Sequence, residues 1–177
     1  MKLSEHFDEK EFTCKCGCGV TIVKKSLIER LEKLHETMNA KAIIVNSGYR
    51  CPSHSVAVGG FSNDAHTLGF ASDVTVIKQD GTPYSVETIA YYADLLKFGG
   101  IGMMTGNSIH LDTRDVEKYS NNYWRGDERT GDNFNAKDLK IEDIQKAIKP
   151  TINIKVDGKV VWTGNEIEDK VTIERVK

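Results

Sequence analysis

Three residues, His66, Asp73 and His110, have side chains of the kind that bind catalytic zinc. Such sites use three protein ligands from histidine and carboxylate side chains and leave the fourth position open. His66 and Asp73 are seven residues apart, which on a straight helix corresponds to about 10.5 Å. Because zinc ligands lie about 2 Å from the ion, both can reach one ion only if the chain reverses near Gly69. We therefore expect Asp73 at the head of one strand and His110 on another.

The segment SIHLD, residues 108–112, alternates as a strand does, so His110 and Asp112 are predicted to share one face. Zinc bound here would lower the pKa of a coordinated water to about 7 and so provide a hydroxide for hydrolysis. The sequence leaves two roles open for Asp112. It is either the proton acceptor of the reaction or a carboxylate that orients a ligand histidine. The residues alone leave the metal site open, because a lone histidine is more often an ordinary surface or core residue. If they do form a metal site, the expected cofactor is Zn²⁺.

The composition is that of an ordinary globular protein, with 28% charged and 39% hydrophobic residues in a chain of 177. The net charge of −2 gives no electrostatic reason to expect nucleic acid or an anionic membrane as a partner. No apolar run approaches the ~20 residues of a membrane-spanning helix. The N-terminus, MKLSEHFDEKEF, lacks the apolar core of a signal peptide. We therefore expect a cytoplasmic protein that reaches an external target only after release.

We expect an α+β domain with a small antiparallel sheet, helices packed on one side of it, and the metal cleft on the sheet. Ser26 and Glu29 form a capping box for a helix over residues 26–38, and Ser85 is placed to cap a second helix. The N-terminal arm, residues 1–19, is expected to be irregular. Short apolar or alternating runs predict three strands, at 42–45, 71–77 and 108–113.

The chain changes character after Trp124, which predicts a domain over residues 1–124 and a C-terminal extension over 125–177. The extension begins with a polar, glycine-containing stretch, residues 125–137, which is typical of an exposed connector. Its later pattern predicts a helix over 138–148, a hairpin over 152–162 with an Asp157-Gly158 turn, and a strand over 171–176. Because an isolated hairpin is marginally stable, we expect this β unit to pack on the main domain or to mediate self-association.

Three of the four cysteines, Cys14, Cys16 and Cys18, alternate in CKCGC, and Cys51 stands apart. Alternating cysteines do not pair easily, because a spacing of two residues strains a disulfide. Three states remain open: reduced thiols, a structural zinc held by thiolates, or a disulfide from Cys51 to one of the three. The C-x2-4-C pairing that is typical of structural zinc sites is missing.

Five motifs follow one another in the first part of the chain: SGYR at 47–50, Gly59-Gly60, HTLGFASDV at 66–74, GGIGMM at 99–104 and SIHLDTR at 108–114. In this order they resemble the zinc D-alanyl-D-alanine carboxypeptidase family, peptidoglycan-cleaving enzymes that share a fold with Hedgehog signalling domains. The opening SEHFDEKEFTCKCGCG also looks like the start of phage and bacterial members. The resemblance covers about residues 1–124.

The resemblance implies that His66, Asp73 and His110 bind the zinc. It also implies that Arg50 contacts the substrate and helps to hold the oxyanion, a role for which a fixed guanidinium is suited. The residue types alone would favour a buried salt bridge that fixes the loop of Arg50. Tyr49 is a candidate for the cleft wall, as is Trp124, and either would also fit the core.

Two positions depart from the family pattern. The family's general base precedes the last zinc histidine by three residues, where this chain has Asn107, and an amide cannot accept the proton. Asp112 is the nearest substitute in sequence. The second departure is Asp64, where the family often has serine, and it would be either a loop cap or a further acidic group in the cleft.

We therefore expect zinc-dependent hydrolysis of a peptide bond in bacterial peptidoglycan, by a carboxypeptidase or an endolysin-type endopeptidase, with activity reduced if Asn107 takes the base position. The expected partner is peptidoglycan peptide. The alternative is a weakly active or non-catalytic zinc-bearing module that binds the wall or belongs to a virion. A third reading is a different zinc amidohydrolase chemistry on the same scaffold. The bond cleaved, the oligomeric state, and a phage or bacterial origin are left open.

Overall fold

The computed structural model describes residues 1–114, 122–126, 128 and 131–139, and the backbone of 152–156 and 159–164. The chain groups into two compact units, Met1–Lys140 and Ile141–Lys177. Among the described residues, no helix combines the length and the apolar character that a membrane span requires.

The centre of the first unit is a sheet of five strands: β1 (Ala42–Ser47), β2 (Ala71–Ile77), β3 (Gly100–Met103), β4 (Ile109–Asp112) and β5 (Asn122–Arg125). Their order in the sheet is β1-β2-β4-β3-β5. The first three pairings are antiparallel, as predicted, whereas β5 runs parallel to β3. It does so because β5 starts beside the start of β3, where the Asn122 N–H donates to the Gly99 carbonyl oxygen at 3.1 Å. The α+β class is confirmed, but the sheet is mixed rather than purely antiparallel.

Among the described residues, three α-helices accompany the sheet: α1 (Lys25–Thr37), α2 (Pro52–Ala57) and α3 (Val86–Leu95). The helix predicted after Ser85 is confirmed, and the Ser85 hydroxyl accepts a hydrogen bond from the Thr88 N–H at 3.3 Å. The apolar face predicted for α1 is also confirmed, since its buried residues are Leu27, Ile28, Leu31 and Leu34.

The capping box predicted at the start of α1 is wrong. The helix begins at Lys25, so Ser26 lies inside its first turn, and the N-cap residue is Lys24, which makes no side-chain capping bond. The Ser26 hydroxyl instead lies 3.1 Å from the hydroxyl of Thr113. Glu29 pairs with Lys25 at 3.2 Å, one turn earlier in the helix.

The N-terminal arm is more ordered than predicted. It contains a 3₁₀ helix, Glu9–Phe12, and it buries Phe7 and Phe12 fully. The Tyr49 N–H donates to the Phe12 carbonyl oxygen at 2.9 Å, just after the end of β1. A Cβ on the neighbouring Gly48 would lie 2.8 Å from the same oxygen, so this close backbone approach requires glycine. The arm therefore fixes the loop that follows β1.

The stretch predicted to be an exposed connector after Trp124 is partly attached to the sheet. The Phe134 N–H donates to the Tyr123 carbonyl oxygen at 3.1 Å, and the two rings stack with centroids 5.6 Å apart. Ala136, in a 3₁₀ helix (Ala136–Asp138), is buried. These contacts extend the first unit beyond β5.

The second unit contains an antiparallel pair of strands, β6 (Ile152–Val156) and β7 (Lys159–Gly164). The strands of the predicted hairpin are therefore confirmed, while its Asp157-Gly158 turn lies outside the described residues. The same holds for the strand predicted at 171–176 and for the helix predicted over 138–148 from residue 140 onwards. The domain boundary after Trp124 and the docking of the extension stay predictions.

We predict that a chain ending at Trp124 is less stable than one ending at Lys140. The shorter chain loses the backbone pairing to Tyr123 and exposes the surface that Ala136 covers. A loss of about 2 kcal/mol would lower the melting temperature by roughly 4–8 °C in a domain of this size. Thermal denaturation of both chains by circular dichroism measures this, and equal melting temperatures would support the boundary after Trp124.

Candidate metal centre

Two neighbouring strands in the sheet carry two of the three predicted ligands. Asp73 on β2 lies directly opposite His110 on β4 in the antiparallel register, so both side chains point from the same face. His66 comes from the loop that leads into β2. The Asp64 carboxylate accepts a hydrogen bond from the Thr67 N–H at 3.0 Å in this loop. The chain reversal that the sequence required is therefore present.

The loop then ends at Gly69, whose φ of +77° lies in the left-handed region that favours glycine. A Cβ there would also lie 2.7 Å from the carbonyl oxygen of Ile22. Both observations make Gly69 the residue that lets the chain turn back into β2. This turn carries His66 to the face of the sheet that holds Asp73.

The three ligand atoms form a nearly equilateral triangle. His66 Nε2 lies 3.1 Å from His110 Nδ1 and 3.3 Å from Asp73 Oδ1, and His110 Nδ1 lies 3.1 Å from Asp73 Oδ1. Ligands at 2.0–2.1 Å from a tetrahedral zinc are separated from one another by about 3.3 Å. The arrangement therefore fits zinc without rearrangement, and we call these three residues the triad.

The outer nitrogen of each triad histidine has a partner that fixes the ring. His66 Nδ1 donates to the Gly48 carbonyl oxygen at 2.7 Å, because a carbonyl can only accept. His110 Nε2 lies 3.1 Å from Asp112 Oδ2 and donates to that carboxylate. Each histidine is thereby left with an inner nitrogen that can offer its lone pair to a metal.

The electrostatics of the triad favour a cation. Burial alone would lower the pKa of His110, but hydrogen bonds to Asp112 and Asp73 raise this pKa to about 9. Burial would likewise raise the pKa of Asp73, yet its hydrogen bonds with His110 and His66 hold it well below its usual range. Without a metal, the raised pKa of His110 favours its protonated form, whose Nδ1 lies 3.1 Å from both Asp73 Oδ1 and His66 Nε2. A metal ion would take the place of that proton.

Asp112 lies behind His110, on the side away from the other triad residues. Its carboxylate is fully buried, and Arg114 Nε donates to Oδ1 and Oδ2 at 2.9 Å each. A Cβ on Gly100, the residue opposite on β3, would lie 2.6 Å from the Asp112 Cγ. This enclosed position favours the orienting role over that of proton acceptor.

Arg114 was not identified from the sequence. It follows Asp112 by two residues, and this spacing on one face of a strand was the signal that could have identified it. Its guanidinium also pairs with Glu128 at 3.1 Å. Arg114 thus links the carboxylate behind His110 to the rim of the cleft.

Arg50 takes the salt-bridge position that the sequence left open for it. Its Nη2 donates to Asp73 Oδ2 at 3.2 Å, so the two oxygens of Asp73 are divided between Arg50 and the histidines. Arg50 also lines the cleft above the triad. A contact with substrate is therefore compatible with the salt bridge.

The triad opens into a cleft of about 450 Å³. Trp124 lines it, as predicted, with its ring centroid 5.2 Å from that of His110. A Cβ on Gly102 would lie 2.5 Å from the Trp124 ring, so glycine on β3 makes room for the indole. Tyr49 is buried and, among the described residues, is not one of those that line the cleft.

The two residues that depart from the family pattern differ in position. Asp64 is a loop cap at the cleft, since its carboxylate also accepts from the Ser55 hydroxyl and from the Phe61 N–H at 3.3 Å. Asn107 lies in the exposed turn between β3 and β4 and is not among the described cleft residues. Its assignment to the base position stays a prediction.

We predict that replacing His66 by alanine removes one equivalent of zinc per chain. The substitution deletes one corner of the triad, while His110 and Asp73 alone provide too few ligands for a catalytic zinc site. Elemental analysis of the purified proteins measures the loss. His54→Ala is the matched control, because His54 lines the same cleft outside the triad. Unchanged zinc in His66→Ala would exclude the site.

We predict that Asp112→Asn weakens zinc binding by about 10–100-fold, as is typical when the partner of a ligand histidine is altered. The amide has no negative charge to hold the His110 Nε2 proton or to pair with Arg114. Competition with a chelator measures the affinity, with the exposed Asp80→Asn as control. Unchanged affinity combined with lost hydrolysis would assign Asp112 as the proton acceptor instead.

Comparison of the sequence with known proteins assigns the chain to a family. A family model described as Peptidase M15 matches residues 5–112, which is more than half of the chain and includes the whole triad. No curated protein gave a significant match. Peptidases of this family depend on a metal, typically zinc, in agreement with the triad. The chain therefore belongs to the Peptidase M15 family of zinc metallopeptidases.

Proposed function

We propose that this metallopeptidase hydrolyses a peptide bond in the peptide part of bacterial peptidoglycan. The observation that carries the proposal is the triad itself, which has zinc-ligand separations and faces an open cleft large enough for several residues of a peptide. The family match supports the peptidase chemistry. The choice of peptidoglycan rests on the motifs that resemble the zinc D-alanyl-D-alanine carboxypeptidases.

Different residues of the cleft are assigned different roles in hydrolysis. His66, Asp73 and His110 would hold the zinc, which when bound polarises the scissile carbonyl and supplies a hydroxide near neutral pH. Arg50 is held in place by Asp73 and faces the cleft, where its guanidinium would stabilise the negative charge that develops on the carbonyl oxygen. Trp124 provides an apolar wall for the substrate.

We assign the proton acceptor to Glu128. Asp112 is fully buried behind His110, so its carboxylate cannot exchange a proton with the substrate. Asp64 is occupied by hydrogen bonds from Ser55, Phe61 and Thr67. Glu128 also lines the cleft, and its side chain is 37% exposed. Its Oε1 accepts from Asn122 at 2.6 Å and from Arg114 at 3.1 Å, and both donors would hold the carboxylate in place.

We further propose cleavage of an internal bond rather than removal of a C-terminal residue. A carboxypeptidase needs a cation to bind the terminal carboxylate of its substrate. Of the two described arginines of the cleft, Arg50 is assigned to the oxyanion, and Arg114 already pairs with Asp112 and Glu128. An endopeptidase does not require such a cation.

The test is digestion of purified peptidoglycan by the full chain, followed by mass spectrometry of the released fragments. Zinc-loaded protein should release peptides cut at an internal bond, and His66→Ala should release none. Glu128→Gln should lower the rate by about 10²–10⁴-fold, the usual cost of losing a general base, with zinc content unchanged. Asn107→Asp should leave the rate nearly unchanged, because position 107 lies outside the described cleft.

Other outcomes would assign the protein differently. Release of single C-terminal residues would show a carboxypeptidase. Binding to peptidoglycan without any cleavage would support the non-catalytic wall-binding module. A 10²–10⁴-fold faster Asn107→Asp variant would show that position 107 is the base position after all.

A further inference from the structure

The four cysteines come together where the N-terminal arm meets the loop after β1. Their sulfur atoms all lie within 4.8 Å of one another. The Cys14 and Cys16 sulfurs are 3.3 Å apart, and those of Cys16 and Cys51 are 3.6 Å apart. We call Cys14, Cys16, Cys18 and Cys51 the cysteine cluster. Cys51 is far from the other three in sequence, so their local spacing did not predict that all four would lie together.

We propose that the cysteine cluster binds a structural zinc ion through four thiolates, as a second site separate from the triad. Sulfurs at 2.3 Å from a tetrahedral zinc are about 3.8 Å apart. The separations in the cluster, from 3.3 Å to at most 4.8 Å, span this value. Because four protein ligands fill every position of a tetrahedral ion, the site would be structural rather than catalytic.

The backbone conformation around the cluster allows the thiols to approach one another. Gly17, between Cys16 and Cys18, has a φ of +86°, and Gly19 has a φ of +73°. A Cβ at either position would meet no atom within 4 Å, so the left-handed conformation itself requires glycine there. At Gly17 this conformation turns the chain between Cys16 and Cys18.

An N–H group also points at the cluster from the opposite segment. The backbone N–H of Cys51 donates to the sulfur of Cys14 at 3.3 Å. Such a donor favours the thiolate over the thiol, because it stabilises negative charge on the sulfur. Cys14 is buried, so its negative charge needs both this donor and a cation nearby.

A disulfide accounts for the cluster less well than zinc does. All four cysteines are free thiols in the structure. A disulfide from Cys51 joins only one of the other three cysteines, and a second disulfide between cysteines two residues apart is strained. A single zinc ion uses all four sulfurs at once.

The cluster is placed to fix the loop that serves the triad. Cys51 directly follows Arg50, the partner of Asp73, and the Gly48 carbonyl in the same loop orients His66. On the other side of the cluster, Phe12 holds this loop through the Tyr49 N–H. Zinc bound to the cluster would therefore tie the arm to the loop next to the active site.

The first experiment counts zinc in the full-length protein, purified under reducing conditions and freed of loosely bound metal by gel filtration. The wild type should contain two equivalents per chain. The double variant Cys16→Ser/Cys18→Ser, which changes two exposed cysteines, should contain one, and His66→Ala should also contain one. Val20→Ser is the matched control, because Val20 is exposed in the same segment, and it should keep both.

The second experiment replaces zinc by Co²⁺ and does not depend on the folding of a cysteine variant. Thiolate ligands give Co²⁺ a strong charge-transfer absorption in the near ultraviolet, which histidine and carboxylate ligands do not give. The wild type and His66→Ala should both show this band. Its absence from His66→Ala would overturn the proposal.

Two further results would also overturn the proposal. One is a wild type that holds a single zinc, lost on substitution of His66, together with four titratable thiols. The other is a denatured wild type in which only two or none of the four cysteines titrate as thiols. Its mass would then be lower than that of the fully reduced chain, which would show disulfides. Neither result bears on the peptidase proposal, which depends on the triad alone.

Discussion

The buried carboxylate of Asp73 is the charge on which the rest of the site depends. One of its oxygens faces both triad histidines, and the other accepts from Arg50. A buried carboxylate strongly destabilises the folded protein unless it is paired. The partners of Asp73 must therefore be held in place whether or not a metal is bound. Asp73 lies on β2, between β1 and β4. A slip of one residue in either pairing would turn its side chain to the opposite face of the sheet.

The geometry of the triad also depends on residues that have no functional group. Gly48 lets the backbone approach Phe12 closely, and its carbonyl sets the tautomer of His66. Gly100 leaves the space in which Asp112 and Arg114 meet behind His110. Because interiors are close-packed, a methyl group at either position would displace a partner of a ligand rather than fill a void. The ligands are therefore fixed from behind by backbone shape as much as by hydrogen bonds.

The parts of this structure that follow a local period were predictable from the sequence. Short apolar or alternating runs identified β2 and β4. The distance of about 2 Å between a zinc ion and its ligands required a chain reversal before Asp73. The parallel strand β5 was not predictable, because its pairing joins segments that share no local pattern. The start of α1 was misplaced because Ser26 and Glu29 fit a capping box locally, while Thr113, far along the chain, offers Ser26 another partner. Long-range contacts of this kind override local preference.

The loop between β1 and α2 connects the two metal sites that we infer. It contains Gly48, which orients His66, and Arg50, which pairs with Asp73, and it ends at Cys51 in the cysteine cluster. Loop residues gain no stability from a strand ladder, so their conformational entropy opposes any fixed geometry by about 1–2 kcal/mol per residue. An ion bound to Cys51 would order part of the loop before the triad binds its own ion, so less conformational entropy would be lost at that second step. Since linkage between binding sites is reciprocal, zinc at the triad would in turn favour the ordered cluster. The two sites would then stabilise one loop from opposite ends.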